Sequence, residues 1–264
     1  MKTLIKNGLL IDPANQIQAY LNLVLEDGRV AAVTEECPEA DSVIDAAGRV
    51  VAPGFIDIHM HEDPVKDGHI EYCIFNAMLR MGVTTAVGGN CGINVYDPCK
   101  YLELVDREGA PVNVMMFAGH EYYREAAGAS DKYGPVTDEQ LENMKRGLRE
   151  ALEAGCIGIS YGLRYVPGTD RKEFLETASC CEAEGCMISA HVRDDEDRVF
   201  SAIAEVAEAG KLFSIPVQVS HIGSMGGFGQ MEELLRQVAG YRANGLNIAC
   251  DCSPYLAFST RIGA

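Results

Sequence analysis

The chain has 264 residues, 47% hydrophobic and 23% charged, with a formal net charge of −17 at neutral pH. That length supports one large domain or two small ones, and the composition is that of a soluble globular protein. The negative field argues against nucleic acid or an anionic membrane as partner, and no apolar run reaches the roughly 18 residues that span a bilayer.

The N-terminus, MKTLIKNGLLIDPANQ, has one short apolar stretch before Asp12-Pro13 and does not read as a signal peptide. The ten cysteines are therefore expected to be reduced thiols of a cytoplasmic protein, most of them small packing residues. Residues 1–52 read as short strands forming a small β subdomain. Asn22-Leu23-Val24-Leu25 runs into Glu26-Asp27-Gly28-Arg29, and Asp-Gly between apolar runs signals a tight hairpin.

From residue 53 the rhythm changes. Strand-like runs are predicted over 55–60, 83–89, 112–118, 156–161, 186–191, 215–220 and 246–251. Helices are predicted over 70–81, 98–108, 138–154, 171–184, 195–210 and 229–243, with a capping-box signature at Thr137-Asp138-Glu139-Gln140. Nearly continuous apolar strands suit a parallel sheet covered by helices. The expected fold is α/β, a (β/α)₈ barrel or a doubly wound sheet, with seven strands where a closed barrel takes eight.

Functional side chains of a barrel sit at the carboxyl ends of its strands. His59 and His61 end the first run, two residues apart and so on one face of an extended chain. Cys91 lies in Gly89-Asn90-Cys91-Gly92 after the second, His120-Glu121 follows the third, His191 ends the fifth and His221 the sixth. Only His69 falls elsewhere and reads as a surface residue. Taken singly, Cys91 also reads as a buried structural thiol, and His191 and His221 as satisfied core histidines. Brought to one mouth, a thiolate and two imidazoles suit tetrahedral zinc with a fourth position open.

Three motifs, Pro53-Gly54-Phe55-Ile56-Asp57-Ile58-His59-Met60-His61, Gly89-Asn90-Cys91-Gly92 and Gly162-Leu163-Arg164-Tyr165-Val166-Pro167-Gly168, carry a family resemblance. With Ala190-His191-Val192-Arg193, Val219-Ser220-His221 and Ser253-Pro254-Tyr255, they make the chain resemble the amidohydrolase superfamily, and within it the N-acyl-D-amino-acid deacylases (D-aminoacylases). The resemblance implies a TIM-type (β/α) barrel over residues 53–264 with seven of eight strands present. It also implies a small N-terminal β-sandwich subdomain over 1–52, incomplete without C-terminal strands. Cys91, His191 and His221 would hold one tight Zn²⁺, and His59 and His61 would serve a second, weaker position. Other members bridge two metals with a carboxylated lysine on strand 4. Cys156–Tyr161 has none, and Cys91 is expected in that bridging place.

The implied reaction is hydrolysis of an N-acyl-D-amino acid, a small-molecule substrate. Tyr165 would donate to the oxyanion, or else simply pack beside Pro167. Arg193 and Tyr255 would meet the substrate carboxylate, although Asp194-Asp195-Glu196-Asp197 beside Arg193 equally suits a structural ion pair. Asp57, His120 and Glu121 are expected around the ligands, orienting a histidine. The family's general-base aspartate, on strand 8, would fall after Ala264, so the chain reads as a fragment or a natural truncation. An unclosed barrel would expose apolar edges and favour a homo-oligomer. A hydantoinase-, dihydroorotase- or dipeptidase-like amidohydrolase, and an inactive metal-binding barrel, are the alternative readings.

Overall fold

The computed structural model describes residues 1–182, 185–227, 229–255, 257, 259 and 260. The chain divides into two compact units, Met1–Phe55 and Ile56–Ala264.

The first unit holds two small sheets. Strands β1 (Lys2–Lys6), β4 (Asn22–Glu26), β5 (Arg29–Thr34) and β6 (Ser42–Asp45) form one, in the order β5-β4-β1-β6. Strands β2 (Leu9–Asp12), β3 (Ile17–Tyr20) and β7 (Val50–Val51) form the other, in the order β3-β2-β7. The β4–β5 hairpin turns at Asp27 and Gly28, both with positive φ, 49° and 77°. A two-residue turn of that handedness matches the twist of the strands it joins. Leu4, Leu10, Val24 and Ala46 are buried inside this unit.

Strand β8 (Phe55–Asp57), whose last two residues open the second unit, is followed by a hairpin of β9 (Val65–Lys66) and β10 (His69–Ile70). Five further segments are β11 (Val83–Gly88), β12 (Asn113–Met116), β13 (Ala118–Gly119), β14 (Gly158–Gly162) and β15 (Met187–His191). Two more, β16 (Val217–Val219) and β17 (Ile248–Cys250), complete the set. They lie side by side in chain order as a three-stranded sheet, β12-β11-β8, and a five-stranded parallel sheet, β13-β14-β15-β16-β17. β12 and β13 are parts of one extended segment that changes partner at Phe117. Among the described residues no closed barrel forms.

Helices α1 (Cys73–Arg80), α2 (Pro98–Glu108), α3 (His120–Ala126) and α4 (Asp138–Glu153) alternate with the strands. So do α5 (Arg171–Ala178), α6 (Val199–Phe213), α7 (Ile222–Met225) and α8 (Met231–Ala243). α4 begins in a complete Thr137–Gln140 capping box and buries Leu141, Met144, Leu148 and Ala151, the spacing of one helical face. Among the described residues no helix is long and apolar enough to cross a membrane.

Several elements differ from the sequence expectation. The strand predicted over 55–60 ends at Asp57, whose carboxylate accepts the His59 amide at 3.0 Å in place of a ladder bond. Phe55 and Ile56, expected inside, are 64% and 70% exposed, and β8 is an edge strand of its sheet. The helix expected over 70–81 starts at Cys73, after the β9–β10 turn, and α3 and α7 were not anticipated. The acidic run lies before α6 rather than in its first turn, with Glu196–Arg198 a separate 3₁₀ turn. The helix expected over 171–184 is α5 followed by a 3₁₀ turn at Ser179–Glu182, and its last two positions lie outside the described residues.

Candidate metal centre

The turn carrying Cys91 follows β11 and has a left-handed backbone at Gly89 (φ 72°), Cys91 (φ 57°) and Gly92 (φ 78°). A β-carbon on Gly89 would stand 2.3 Å from the Phe117 carbonyl oxygen, so only glycine fits there. Cys91 adopts the same region with a side chain, at a cost of about 1 kcal/mol, and is held there by its neighbours. Asn90 Nδ2 donates to the carbonyls of Val87 (2.9 Å), Ile58 (3.2 Å) and Met60 (3.4 Å), and its Oδ1 accepts from Ser189 Oγ at 3.3 Å. Buried Glu62 accepts the amides of Gly89 (2.8 Å) and Val95 (3.0 Å). Ser160, on β14, accepts the Gly92 amide at 2.9 Å and donates to the Gly89 carbonyl.

Replacing Ser160 by alanine strands a buried N–H and a buried C=O of this turn. Each lost partner costs about 1–3 kcal/mol. We expect the S160A variant to lose a few kcal/mol in urea unfolding and to bind metal more weakly; unchanged stability would contradict the role given to this hydroxyl.

Cys91 Sγ, which this turn aims inward, lies 3.4 Å from His59 Nε2, 3.7 Å from His221 Nε2 and 4.0 Å from His191 Nδ1. Two overlapping sets have all their donor atoms within 4.8 Å of one another: Cys91, His191 and His221, and His59, His61 and Cys91. A sulfur and an imidazole nitrogen bound to one tetrahedral zinc stand roughly 3.5 Å apart, so these separations suit ligands of a shared ion. The donors, one soft thiolate and imidazoles, are those zinc prefers.

The electrostatics agree with a cation site. Burial pushes the Cys91 thiol up, but hydrogen bonds from His191, His221, His59 and His61 outweigh it and pull the pKa down to about 2. Burial opposes charge on His59, yet its contacts with Asp251 and Cys91 push it up to about 10. Burial holds His191 below its ordinary value. The surrounding imidazoles thus favour the anionic form of the sulfur, which is the form a metal ion binds.

The other sequence candidates fare differently. Asp57 fixes the His59 backbone, as described above. Tyr165 lies against His191, ring centroids 4.4 Å apart, with its hydroxyl 3.1 Å from Thr260 Oγ1. Tyr255 is 70% exposed. Arg193, expected at a substrate carboxylate, instead grips Glu205 of α6 through Nε (3.0 Å) and NH2 (2.8 Å), so its guanidinium is committed to the helix behind it. His120 does not orient a ligand histidine: its Nε2 meets Glu173 at 2.8 Å inside the protein. Glu121 is buried and paired with Lys132. His69 is a surface residue paired with Glu108.

Asp251, directly after β17 and at the end of the seventh predicted strand, also belongs to this cluster. Its Oδ1 accepts the His221 amide at 2.6 Å and stands 3.6 Å from His59 Nδ1. The strand-end rule that singled out the histidines applies to it equally. Ser224 Oγ, 3.2 Å from His221 Nδ1, occupies the far side of that ring.

No family model matches the chain. The D-aminoacylase of Alcaligenes xylosoxydans xylosoxydans is 31% identical over 287 residues, covering 98% of this chain and 58% of that protein. The crystal structure of N-acyl-D-glutamate deacylase from Bordetella bronchiseptica, complexed with zinc and a phosphonate mimic of the tetrahedral intermediate, is similar with a TM-score of 0.83 at 28% identity. That match covers 96% of this chain and 58% of the other. A D-aminoacylase structure with a binuclear metal centre, described in terms of one-metal activation and second-metal attenuation, gives a TM-score of 0.83 at 26% identity, covering 96% and 58%. The chain thus spans a little under three-fifths of the length of the relatives it matches.

Proposed function

The chain is homologous to the N-acyl-D-amino-acid deacylases of the amidohydrolase superfamily over 98% of its length, and on that premise we propose that its site hydrolyses the amide bond of an N-acyl-D-amino acid to a carboxylate and a free D-amino acid. The observation that carries this reading is the meeting of imidazoles from three other segments on the sulfur of Cys91. Cys91, His191 and His221 are the residues we assign to the tight metal position, and His59 and His61, sharing Cys91, to a weaker one. Zinc held by these residues would supply Lewis acidity toward an amide carbonyl and a water molecule. Tyr165, packed on His191, is the donor we assign to the developing oxyanion. Exposed Tyr255 is the remaining candidate for contact with the substrate carboxylate.

The same reading takes the parallel strands as part of a TIM-type barrel domain over 53–264 and assigns 1–52 to a separate small β subdomain. Ten free cysteines favour a cytoplasmic setting, and the exposed edge residues Phe55 and Ile56 favour self-association.

The test is a substrate panel with zinc-loaded protein that includes a strand-8 segment carrying the general-base aspartate the resemblance implies: N-acetyl derivatives of D- and L-amino acids against cyclic ureides. We expect turnover of the N-acyl-D-amino acids, lost on chelation and restored by zinc. Turnover of cyclic ureides alone would overturn the assignment.

A further inference from the structure

We infer that Asp251 is a positioning residue that sets the affinity of the second metal position, the one served by His59 and His61. The inference rests on the metal-centre reading above and goes beyond it in naming what couples the two positions. His59 turns Nε2 toward Cys91 Sγ, at 3.4 Å, so its opposite nitrogen, Nδ1, faces away from the shared sulfur. That Nδ1 is buried without a hydrogen-bond partner, and Asp251 Oδ1 stands 3.6 Å from it. A ligand histidine whose outer nitrogen faces a carboxylate is fixed in tautomer and orientation and made a stronger donor.

The same carboxylate is built into the other position. Oδ1 also accepts the His221 backbone amide at 2.6 Å, Oδ2 accepts from Gln218 Nε2 at 2.8 Å, and the Asp251 carbonyl accepts the Ile222 amide at 2.9 Å. His221 sits there with a left-handed backbone, φ 36°, which this grip secures. The two services are chemically separable. Toward His221 Asp251 is a hydrogen-bond acceptor, a task an amide oxygen performs. Toward His59 it contributes negative charge, which an amide lacks. Asp251→Asn keeps the first and removes the second, since a Gln218 amide turned over preserves the remaining contact. Asp251→Ala removes both.

The experiment is a titration of the metal-depleted full chain with Zn²⁺ against a chelating dye, and with Co²⁺ followed by its visible absorption. We expect two equivalents in the parent. In D251N the second should weaken by roughly 10- to 100-fold, the range that supporting carboxylates command. The first should stay within about threefold and the thiolate–cobalt band should be retained. In D251A both should weaken. D251N with both affinities unchanged, or with both reduced equally, overturns the inference, as does a parent that takes up a single ion. A parent that takes up no metal overturns the metal-centre reading itself. Thermal melting of the metal-free variants shows whether D251N is folded, and a fall in its melting temperature without the split between equivalents counts against the proposal.

Discussion

The C91A variant, depleted with a chelator, reloaded with zinc and then dialysed against metal-free buffer, is expected to return without bound metal, where the parent retains the ion of the tight position, about one equivalent. Cys91 Sγ is the donor both sets share, so its removal leaves each set with two imidazoles and no thiolate. A residue that merely supports a ligand is worth about 10- to 100-fold in affinity, and the loss of the shared ligand should exceed that range. The loss is electrostatic as well as geometric. In the parent, burial is outweighed by four imidazole contacts that keep the sulfur anionic. An alanine methyl offers neither charge nor lone pair. Folding should survive, because the turn around Cys91 is held by Asn90, Glu62 and Ser160 rather than by the thiol. Metal analysis with circular dichroism on the same sample separates the two effects, and full zinc retention by C91A would remove the metal assignment.

The largest loss of stability is expected away from the metal, at Glu173. Its carboxylate meets His120 Nε2 at 2.8 Å and Arg124 Nε at 3.0 Å, and all three side chains are almost wholly buried. The Arg124 guanidinium also donates to the carbonyls of Ala129 (2.7 Å), Asp131 (2.6 Å) and Gly134 (2.6 Å). Removing the carboxylate leaves a buried cation uncompensated, which typically costs 3–5 kcal/mol, about a third of the stability of an ordinary domain. We expect Glu173→Ala to lower the urea midpoint accordingly at an unchanged slope. A loss under about 1 kcal/mol would mean that water reaches the guanidinium and the pair is solvated. The damage should reach the site, since the Gly168 amide binds the Lys132 carbonyl at 2.7 Å and thereby ties the loop bearing Tyr165 to the loop Arg124 holds.

What could be read in the sequence was what local rules govern. The strand-end rule pointed to His191 and His221, and glycines around Cys91 signalled a turn able to bring a side chain close to a ligand; His59 and His61 lie past the end of β8, so the alternation argued for them does not account for their placement. Asp27-Gly28 specified its hairpin for the same kind of reason. Contacts between distant residues were not legible. His120 looked like a strand-end residue similar to the others, but its partner Glu173 lies 53 residues on, across the strand and helix that follow. Glu205 claims Arg193 from one helix away, where four acidic neighbours had seemed closer. Glu62 went unnoticed beside His61 because its partners are backbone amides, which no residue pattern announces. The exposure of Phe55 and Ile56 depends on what lies beyond β8, which an apolar run does not reveal.

The hydrogen bonds of Asn90 carry one more consequence. They lock the cysteine turn into place as the chain folds, so the entropy of assembling the coordination sphere is lost then and not when an ion arrives. Metal capture becomes a matter of dehydration and proton release. Unlike a zinc finger, which collapses when stripped, this protein should give up its metal and remain a receptor of the same shape.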